Sequence, residues 1–493
     1  MTKKKVATEV AASSGKGPES KEKTLTIAIL IKPIRAVLRH VNKAIQDKEY
    51  ATLSENNFLS LILTLLDVLK IEKVFKEGKE SALALESLQI VDIIAQVIKN
   101  LLTIEECCKK MSSPAEMNNL LGWIKLVDKL METYETQREG NMEKGETCVS
   151  IIVNFICCVR NIGSFHDNTM ITLETDLYDT LTGLLKRNHA IERFVLNILR
   201  IFSKLSLSAA ACEKMSNTVG LLQGLLELFE IYKENNAIIM RVSFVFANLT
   251  TFSDALRPYI YFELNGFNSA FGAFEHFIGK TTNQDDFYES MLKSFSGFDF
   301  LKQDDKDVIN KLVRFFANLF TDEEITLHFI KERYTSYKLM LRKLRFFMTE
   351  QEVSNNAELL QCVLSCLSNL LYYDKPGVLQ NDFELNSLKH DILSSVGFII
   401  LQPKQDDILI EGLRVISNLS RSKTSIKQIM KIKFHEALGI LLNHRSREVV
   451  YYSIGIIINL THDSEFKLTK TAVEIFCGLI NILEECTIDD VDI

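Results

Sequence analysis

Asparagine recurs at the end of one short apolar phrase along much of this chain. The phrase reads RVISNLS around Asn418 and GIIINLT around Asn459, and looser versions occur upstream. A primary amide both donates and accepts hydrogen bonds, so it can pair with the backbone of an extended peptide. It can equally satisfy a buried carbonyl of its own fold, and the residues leave both interpretations open. We call the position of the recurring asparagine the slot, and the helix that carries it the slot helix. The slot is occupied by Asn161, Asn248, Asn318, Asn369, Asn418 and Asn459, and by Lys204 in one unit.

Basic residues stand four or seven positions before several of these asparagines. Positions i−7, i−4 and i share one line along a helix, so these side chains are expected beside the amides. Such a cluster within an acidic protein predicts an acidic partner segment, while the alternative is that the aliphatic stems lie over apolar neighbours. We call the predicted partner-binding set the amide stripe: Asn161, Arg200, Lys204, Arg241, Asn248, Lys311, Arg314, Asn318, Asn369, Arg414, Asn418 and Asn459.

Catalytic and metal-binding patterns do not accompany the stripe. Gly279-Lys280-Thr281 resembles the end of a phosphate-binding loop, but Phe274 stands where the first glycine belongs. His435-Glu436 is followed by Gly439 where a zinc-protease helix needs histidine. Ten cysteines fall mostly in apolar runs, as buried thiols of a reducing compartment do. We therefore expect no enzyme activity, no cofactor and no metal site.

Helices must position the stripe. Successive slots from Asn161 lie 43, 44, 70, 51, 49 and 41 residues apart, and a period near 40–47 is typical of helical solenoids. Each unit reads as the slot helix, a polar link, a short helix and an apolar helix, which favours three-helix over two-helix repeats. Stacked slot helices would line one concave wall. The predicted fold class is all-α, a right-handed superhelical α-solenoid.

Composition agrees with long helices and gives little reason to expect nucleic acid. The 493 residues include 47% hydrophobic residues but only 6 prolines and 20 glycines. The net charge is −7 at pH 7. We find no signal peptide pattern, and Lys32, Pro33 and Arg35 interrupt the early apolar run over residues 24–38. A cytoplasmic protein without membrane insertion is expected.

The predicted domain organisation has four parts and one insertion. Residues 1–23 are expected to form a disordered basic tail, 24–149 degenerate helical repeats, 150–483 the solenoid proper, and 484–493 an acidic tail. The 70-residue interval between Asn248 and Asn318 predicts an insertion over residues 280–307. Its mixture of acidic and aromatic residues indicates either a recognition segment or an additional helix pair.

The units over residues 190–229, 238–277 and 411–462 resemble the armadillo superfamily through their asparagine-ended helices and spacing. That resemblance implies binding of other proteins along the inner helices, without catalysis. The importin-alpha branch carries tryptophan four residues before the asparagine. In this chain the position four residues before the slot is occupied by Arg200, Phe244, Arg314, Ser365, Arg414 and Gly455. A receptor for nuclear localisation signals is therefore not expected.

Three phrases resemble a branch of the superfamily tied to cilia and flagella. They are LNILRIFSKLSLSAAACEKM, RVISNLS and IGIIINLTHD. The resemblance implies an adaptor for intraflagellar transport of radial spokes, with radial-spoke or transport-train proteins as partners. A fixed structural subunit of an axonemal complex and a catenin-like cytoplasmic scaffold are the alternatives.

Overall fold

The computed structural model describes most of the chain from residue 82 onward. The described residues are 33, 35–41, 43, 59, 62–63, 82–136, 142–164, 169–279, 303–349, 356–374, 382–402, 405–462, 464–467 and 469–485. They contain helices and no strand, which confirms the all-α prediction. The expected tail over 1–23, most of the expected insertion and most of the expected acidic tail lie outside the described residues.

The chain divides into two compact units, residues 1–221 and 222–493. This division differs from the boundary expected between residues 149 and 150, which falls inside a continuous helix. Unit 1 contains α1 (Ala82–Leu101), α2 (Glu105–Met111), α3 (Pro114–Thr136), α4 (Met142–Ser164), α5 (Thr169–Leu173), α6 (Leu177–Arg187), α7 (Glu192–Leu205) and α8 (Ala209–Asn217). The slot helices α1, α4 and α7 pack in that order.

Unit 2 repeats the same pattern of a slot helix followed by shorter helices. Its helices are α9 (Leu221–Ile231, beginning at the last residue of unit 1), α10 (Asn236–Phe252), α11 (Leu256–Pro258), a π-helix (Tyr259–Glu263), α12 (Gly266–Gly279), α13 (Gln303–Leu319), α14 (Glu323–Glu332), α15 (Tyr334–Thr349), α16 (Ala357–Tyr373), α17 (Phe383–Ile400), α18 (Asp406–Leu419), α19 (Lys423–Lys431), α20 (Phe434–Leu441), α21 (Arg447–Leu460), α22 (Ser464–Lys467) and α23 (Lys470–Glu485).

The slot helices of unit 2 stack in chain order, α10 on α13, then α16, α18 and α21. Residues 303–307, expected in the insertion, instead form the first turn of α13. Insertion residues 280–302 lie outside the described residues. The layered stacking is that of a solenoid, in which each repeat buries its apolar face against its neighbours.

Side-chain caps explain where several of these helices begin. Asn235, Asp322, Asn356 and Asp382 each accept a hydrogen bond from the backbone N–H three residues later, at 2.9–3.2 Å. Such caps satisfy donors that the first helical turn leaves unpaired. Two of them start slot helices, α10 and α16, so local sequence helps to set the register of the asparagines.

Aromatic side chains fill the core between the first layers of unit 2. Phe267 lies 5.3 Å from Phe316 and 5.0 Å from Phe329, measured between ring centroids. Phe246 of α10 lies 5.5 Å from Phe315 of α13 in the same way. These pairs join one repeat to the next and hold the slot helices at packing distance.

One described helix, Met142–Gly163, is long and apolar enough to cross a membrane by length and composition alone. Residues 85–101 and 105–111 would together pass the same test as a pair bent by 113°. In the first helix, 61% of the apolar window is buried within the chain, and core helices meet the criterion as well.

Candidate protein-interaction surface

Each slot asparagine of unit 2 from the second onward bonds to the layer before it. In every case one acceptor is the carbonyl oxygen of the residue that precedes the neighbouring asparagine. The Nδ2 groups of Asn318, Asn418 and Asn459 also donate to hydroxyl oxygens of the preceding repeat. Asn318 Nδ2 donates to Ala247 O at 2.7 Å, and Asn369 Nδ2 to Ala317 O at 2.9 Å. Asn418 Nδ2 donates to Ser368 O at 2.9 Å, and Asn459 Nδ2 to Ser417 O at 3.4 Å.

Unit 1 contains the same contact in its first pair of layers. Asn161 Nδ2 donates to Lys99 O at 3.3 Å, and Lys99 immediately precedes Asn100 of α1. Lys204 occupies the slot of α7 and is exposed. The structural interpretation of the repeated asparagine therefore accounts for its N–H groups, because they satisfy backbone carbonyls of the adjacent repeat.

The amide oxygens are treated differently from one layer to the next. Asn369 Oδ1 accepts a bond from Arg414 Nη2 at 3.2 Å, and Asn369 is 8% exposed. Asn248 is buried. Asn318, Asn418 and Asn459 are partly exposed, and no described residue donates to their Oδ1 atoms. These three oxygens are acceptors that an incoming N–H can use.

Carboxylates neutralise two of the four basic stripe residues in unit 2. Lys311 Nζ lies 2.6 Å from Glu358 Oε1 of the next layer, and Arg414 Nη1 lies 2.8 Å from Glu411 Oε1 of its own helix. Arg241 donates to the carbonyl of Ala237 at 2.7 Å. Arg314 is partly exposed and has no acceptor among the described residues. The unit 2 stripe is therefore less basic than its residue types alone predict.

The two carboxylates have different electrostatic environments. The hydrogen bond from Lys311 lowers the pKa of Glu358 below its ordinary value, with the charges of Lys311 and Arg314 acting in the same direction. Burial raises the pKa of Glu411, although the neighbouring Arg414 opposes that rise. Glu358 is thus held in its charged form, which favours its ion pair with Lys311 of the preceding layer. The charge of Arg314 contributes to the same effect.

In unit 1 the basic residues gather around a buried amide. Arg200 Nη1 and Arg160 Nη1 both donate to Asn197 Oδ1, each at 3.3 Å. Arg200 is exposed, while Asn197 is 8% exposed and donates to the carbonyl of Arg193. Asn161, Arg200 and Lys204 thus lie on the packed pair α4 and α7.

The amide stripe omitted Glu358 and Arg160, and it left out Asn197 although that residue lies on the same helix line as Arg200 and Lys204. Glu358 stands eleven residues before Asn369, one further turn along the same helix line, so extending the line by a turn would have found it. Asn197 is the i−7 residue of the Lys204 unit. Arg160 adjoins Asn161 and lies off the line, so no spacing rule indicates it.

Within the described ranges, no group of three or more histidine, cysteine, aspartate or glutamate side chains is placed to hold a metal ion. Cys362, partly exposed on α16, and Cys366, buried on the same helix, are free thiols.

Comparison with known proteins gives relatives of one name. No family model matches the chain. The mouse protein Armadillo repeat-containing protein 2 is 24% identical over 294 residues, covering 59% of this chain and 32% of that protein. The human protein of the same name is 23% identical, covering 55% and 30%. The chain thus spans about a third of the length of the curated relatives it matches.

Two solved structures are similar to part of the chain in their course. A designed armadillo repeat protein in complex with the peptide (KR)4 is 14% identical, with a TM-score of 0.39, covering 58% of this chain and 99% of that one. A structure from work on a phosphorylation switch between cadherin and beta-catenin is 15% identical, with a TM-score of 0.46, covering 87% and 82%. The names of the curated relatives confirm the resemblance to armadillo-repeat proteins inferred from the asparagine phrases.

Proposed function

We propose that this chain, which resembles armadillo-repeat proteins, is a non-enzymatic scaffold that binds an extended segment of another protein along the amide stripe of unit 2. One observation carries the proposal. Asn318, Asn418 and Asn459 use their amide N–H groups within the scaffold and leave partly exposed Oδ1 atoms without a described donor. A peptide backbone supplies N–H donors at regular intervals, which suits a row of fixed acceptors.

The spacing of the acceptors suits an extended chain. Packed helices lie roughly 8–10 Å apart, and an extended peptide rises about 3.3 Å per residue. Two or three peptide residues therefore separate one layer from the next, and the partner needs no secondary structure of its own. Because the amides are already oriented by bonds to the neighbouring repeat, binding does not have to order them.

The charge pattern restricts the side chains of the partner. Arg314 is the stripe cation with no described acceptor, whereas Lys311 and Arg414 already have carboxylate partners. A segment with one acidic side chain opposite Arg314 matches this surface better than a strongly acidic segment, which would also meet Glu358 and Glu411. The sequence predicted an acidic partner segment, and we now propose that this segment carries a single acidic side chain opposite Arg314.

A matched pair of asparagine variants tests the amide role. Asn418→Ala removes the 2.9 Å inter-layer bond to Ser368 O, at an expected cost of about 1 kcal/mol of stability. Asn369→Ala removes the 2.9 Å bond to Ala317 O and also the 3.2 Å bond from Arg414, so its stability loss should be at least as large. Only Asn418 has an Oδ1 open to a partner. Partner capture from ciliated-cell extract, followed by titration of the captured protein, should show weaker binding for Asn418→Ala alone. Equal binding by both variants would refute the amide row as the site.

Arg314→Glu tests the charge role, with Lys331→Glu as its control. Both changes reverse one charge, but Lys331 is exposed on α14, away from the stripe. We expect Arg314→Glu to weaken binding of the captured partner by about tenfold or more, because the acidic side chain of the partner would then face the new glutamate instead of the arginine. A partner that binds both variants equally does not use Arg314.

For the cellular role, we propose ciliary or flagellar assembly, with the chain acting as an adaptor for intraflagellar transport of radial spokes in the cytoplasm and cilium. The support is the resemblance of the LNILRIFSKLS and IGIIINLTHD phrases to that branch of the superfamily. A fixed axonemal subunit stays with the skeleton after detergent and salt extraction, whereas an adaptor is released. Retention in the skeleton would favour the fixed subunit, and absence from cilia would favour a catenin-like scaffold.

A further inference from the structure

Lysine side chains form an exposed line on α19, one of the short helices of unit 2. Lys423, Lys427 and Lys431 are exposed and stand four residues apart, so they share one face at intervals of about 6 Å along the helix axis. The buried residues Ile426 and Ile429 lie on the other side of the helix. Packing therefore uses one side of α19 and leaves the lysines toward solvent.

The helices that correspond to α19 in other repeats carry a different charge. The helices α8, α14 and α19 each follow a slot helix after a link of three residues. In sequence α8 has one glutamate and one lysine, and α14 has three glutamates and one lysine. Three lysines and no acidic residue occur in α19. The stacking of repeats needs only the apolar positions of these helices, so the fold does not require the lysines.

The three lysines of α19 also lack counter-charges. No carboxylate among the residues that the structure describes lies within ion-pair distance of them. The basic residues of α15 differ in this respect, because Lys338 and Arg342 pair with Glu384, and Arg345 lies 3.7 Å from Asp391. The α19 lysines thus form a positive surface on a chain whose net charge is −7.

A fourth lysine extends this surface at an unfavourable backbone position. Lys433 precedes α20 with a φ of 59°, in the left-handed region. Glycine adopts this region freely, whereas the Cβ of lysine makes it unfavourable. The Lys433 side chain is 73% exposed and comes no closer than 3.9 Å to Glu436. Glycine would fold more easily here, so what lysine adds is its side chain. We call Lys423, Lys427, Lys431 and Lys433 the lysine patch.

Large apolar side chains adjoin the lysine patch. The helix α17 packs on α19, and a Cβ at Gly397 would lie 3.3 Å from Cδ1 of Ile432, the residue between the last two lysines of the patch. Phe398 follows that glycine and is 68% exposed, and Leu401, one turn further, is 59% exposed. The C-terminal end of α17 therefore brings two exposed apolar side chains to the neighbourhood of the positive charge.

Lysines beside exposed phenylalanine and leucine are typical of proteins that bind a membrane surface without crossing it. The lysines are attracted to anionic headgroups, and the apolar side chains enter the boundary between headgroups and acyl chains. An acidic peptide would use the lysines but leave the apolar side chains without a role. Nucleic acid is disfavoured by the negative net charge of the chain.

We propose that the lysine patch, together with Phe398 and Leu401, binds the anionic surface of a lipid membrane. The patch lies on a short helix and its following turn, whereas the amide stripe lies on the slot helices. The two surfaces are therefore distinct, and this proposal does not depend on the proposed function.

Vesicle flotation of the purified full chain tests the binding. The vesicles contain phosphatidylcholine alone or phosphatidylcholine with about 30% phosphatidylserine. The wild-type chain is expected to float only with the anionic vesicles. Raising the salt concentration from about 0.1 to about 1 M should release it, because the Debye length falls from about 10 to about 3 Å. A chain that does not float with the anionic vesicles overturns the proposal.

A pair of double variants locates the site. Lys427→Gln with Lys431→Gln should weaken vesicle binding about 25-fold, since each lysine near an anionic surface contributes roughly fivefold. The control, Lys214→Gln with Lys331→Gln, removes the same charge from exposed lysines of the corresponding helices α8 and α14. Circular dichroism establishes that both variants keep wild-type helicity. Equal flotation of the two double variants overturns the lysine patch as the site.

Two single variants separate membrane binding from folding and from protein binding. Lys433→Gly relieves the left-handed φ, so the melting temperature should stay the same or rise while vesicle binding weakens about fivefold. Unchanged vesicle binding would remove Lys433 from the patch. In a Phe398→Trp chain, anionic vesicles should shift the added tryptophan emission to the blue, and an unshifted emission would remove Phe398 from the site. A chain that binds immobilised polyglutamate but not vesicles recognises an acidic protein, which overturns the proposal.

Discussion

The slot asparagine uses its amide N–H group within the scaffold, whereas in several layers its amide oxygen remains at the surface. Its N–H group reaches the carbonyl that precedes the neighbouring asparagine, as in the bonds of Asn318 to Ala247 and Asn418 to Ser368. Its oxygen is directed to a neighbouring arginine in one layer and lacks a described donor in others. A hydroxyl also donates and accepts, but it does so through one atom, whereas the amide carries its donor and its acceptor on separate atoms that can face different neighbours.

Asn318→Asp should destabilise unit 2 more than Asn318→Ala does. The alanine variant loses an inter-layer bond worth about 1 kcal/mol, whereas the aspartate variant also places an oxygen against Ala247 O, for a total of about 2–3 kcal/mol. Urea unfolding followed by circular dichroism measures both. Asn443→Asp is the control, because Asn443 is exposed and its side chain bonds only to Gly439 O of the helix that ends just before it. Equal losses for the two Asn318 variants would mean that the amide N–H is not essential.

At the scale of the helices, close packing between neighbours sets the layer spacing. Gly412 of the slot helix α18 lies against Ile400 of α17, where a Cβ would overlap the Ile400 Cγ2 methyl group. The glycine is therefore required by the approach of two helices, although it weakens the helix in which it stands. Helix propensity alone would favour alanine at this position.

Gly412→Ala should lower the melting temperature of the chain, since α17 and α18 must move apart at a cost of about 1–3 kcal/mol. Gly122→Ala is the matched control. It lies within α3, and a Cβ there would meet nothing within 4 Å, so alanine should stabilise by about 0.5–1 kcal/mol. Differential scanning calorimetry gives both values. A Gly412→Ala chain as stable as the wild type would show that the layers can shift freely.

At the scale of the molecule, unit 1 buries all of its described thiols, whereas in unit 2 Cys366 is buried and Cys362 is partly exposed. Burial raises the pKa of Cys148 to about 12 and that of Cys362 to about 11. Cys477 is the exposed thiol among the described cysteines. Reactive thiols require the thiolate form and access to reagent, and the buried ones lack both.

In a Cys486→Ser chain, a thiol reagent should modify Cys477 within minutes at pH 8 and the other cysteines only after unfolding. Raising the pH to 9 should change little for Cys148 or Cys362, because their folded pKa values lie well above that pH. Mass spectrometry of the labelled peptides identifies the sites. Cys477→Ser should remove the rapid phase, and rapid labelling of Cys148 would contradict the burial of α4.

Most of the fold could be predicted from the sequence, because the same apolar helix pattern with its asparagine occurs several times along the chain. Apolar periodicity and the asparagine spacing predicted helices that stack in chain order, and α10 to α21 do so. The sequence predicted a boundary near residue 149 and did not predict the division after residue 221, since such a division depends on how tightly successive repeats pack. The division after residue 221 is a property of packing.

The site was predicted only in part, because the sequence determines which residues share a helix face but not which side chains pair between helices. Helix periodicity places Lys311, Arg314 and Asn318 on one line, and local sequence is sufficient for that. Neutralisation of Lys311 by Glu358 joins residues 47 positions apart, and only stacking brings them together. Sequence thus determined which side chains share a helix face. Tertiary structure alone decided which of them retain an open hydrogen-bonding group, because pairing depends on distances of a few ångströms between layers.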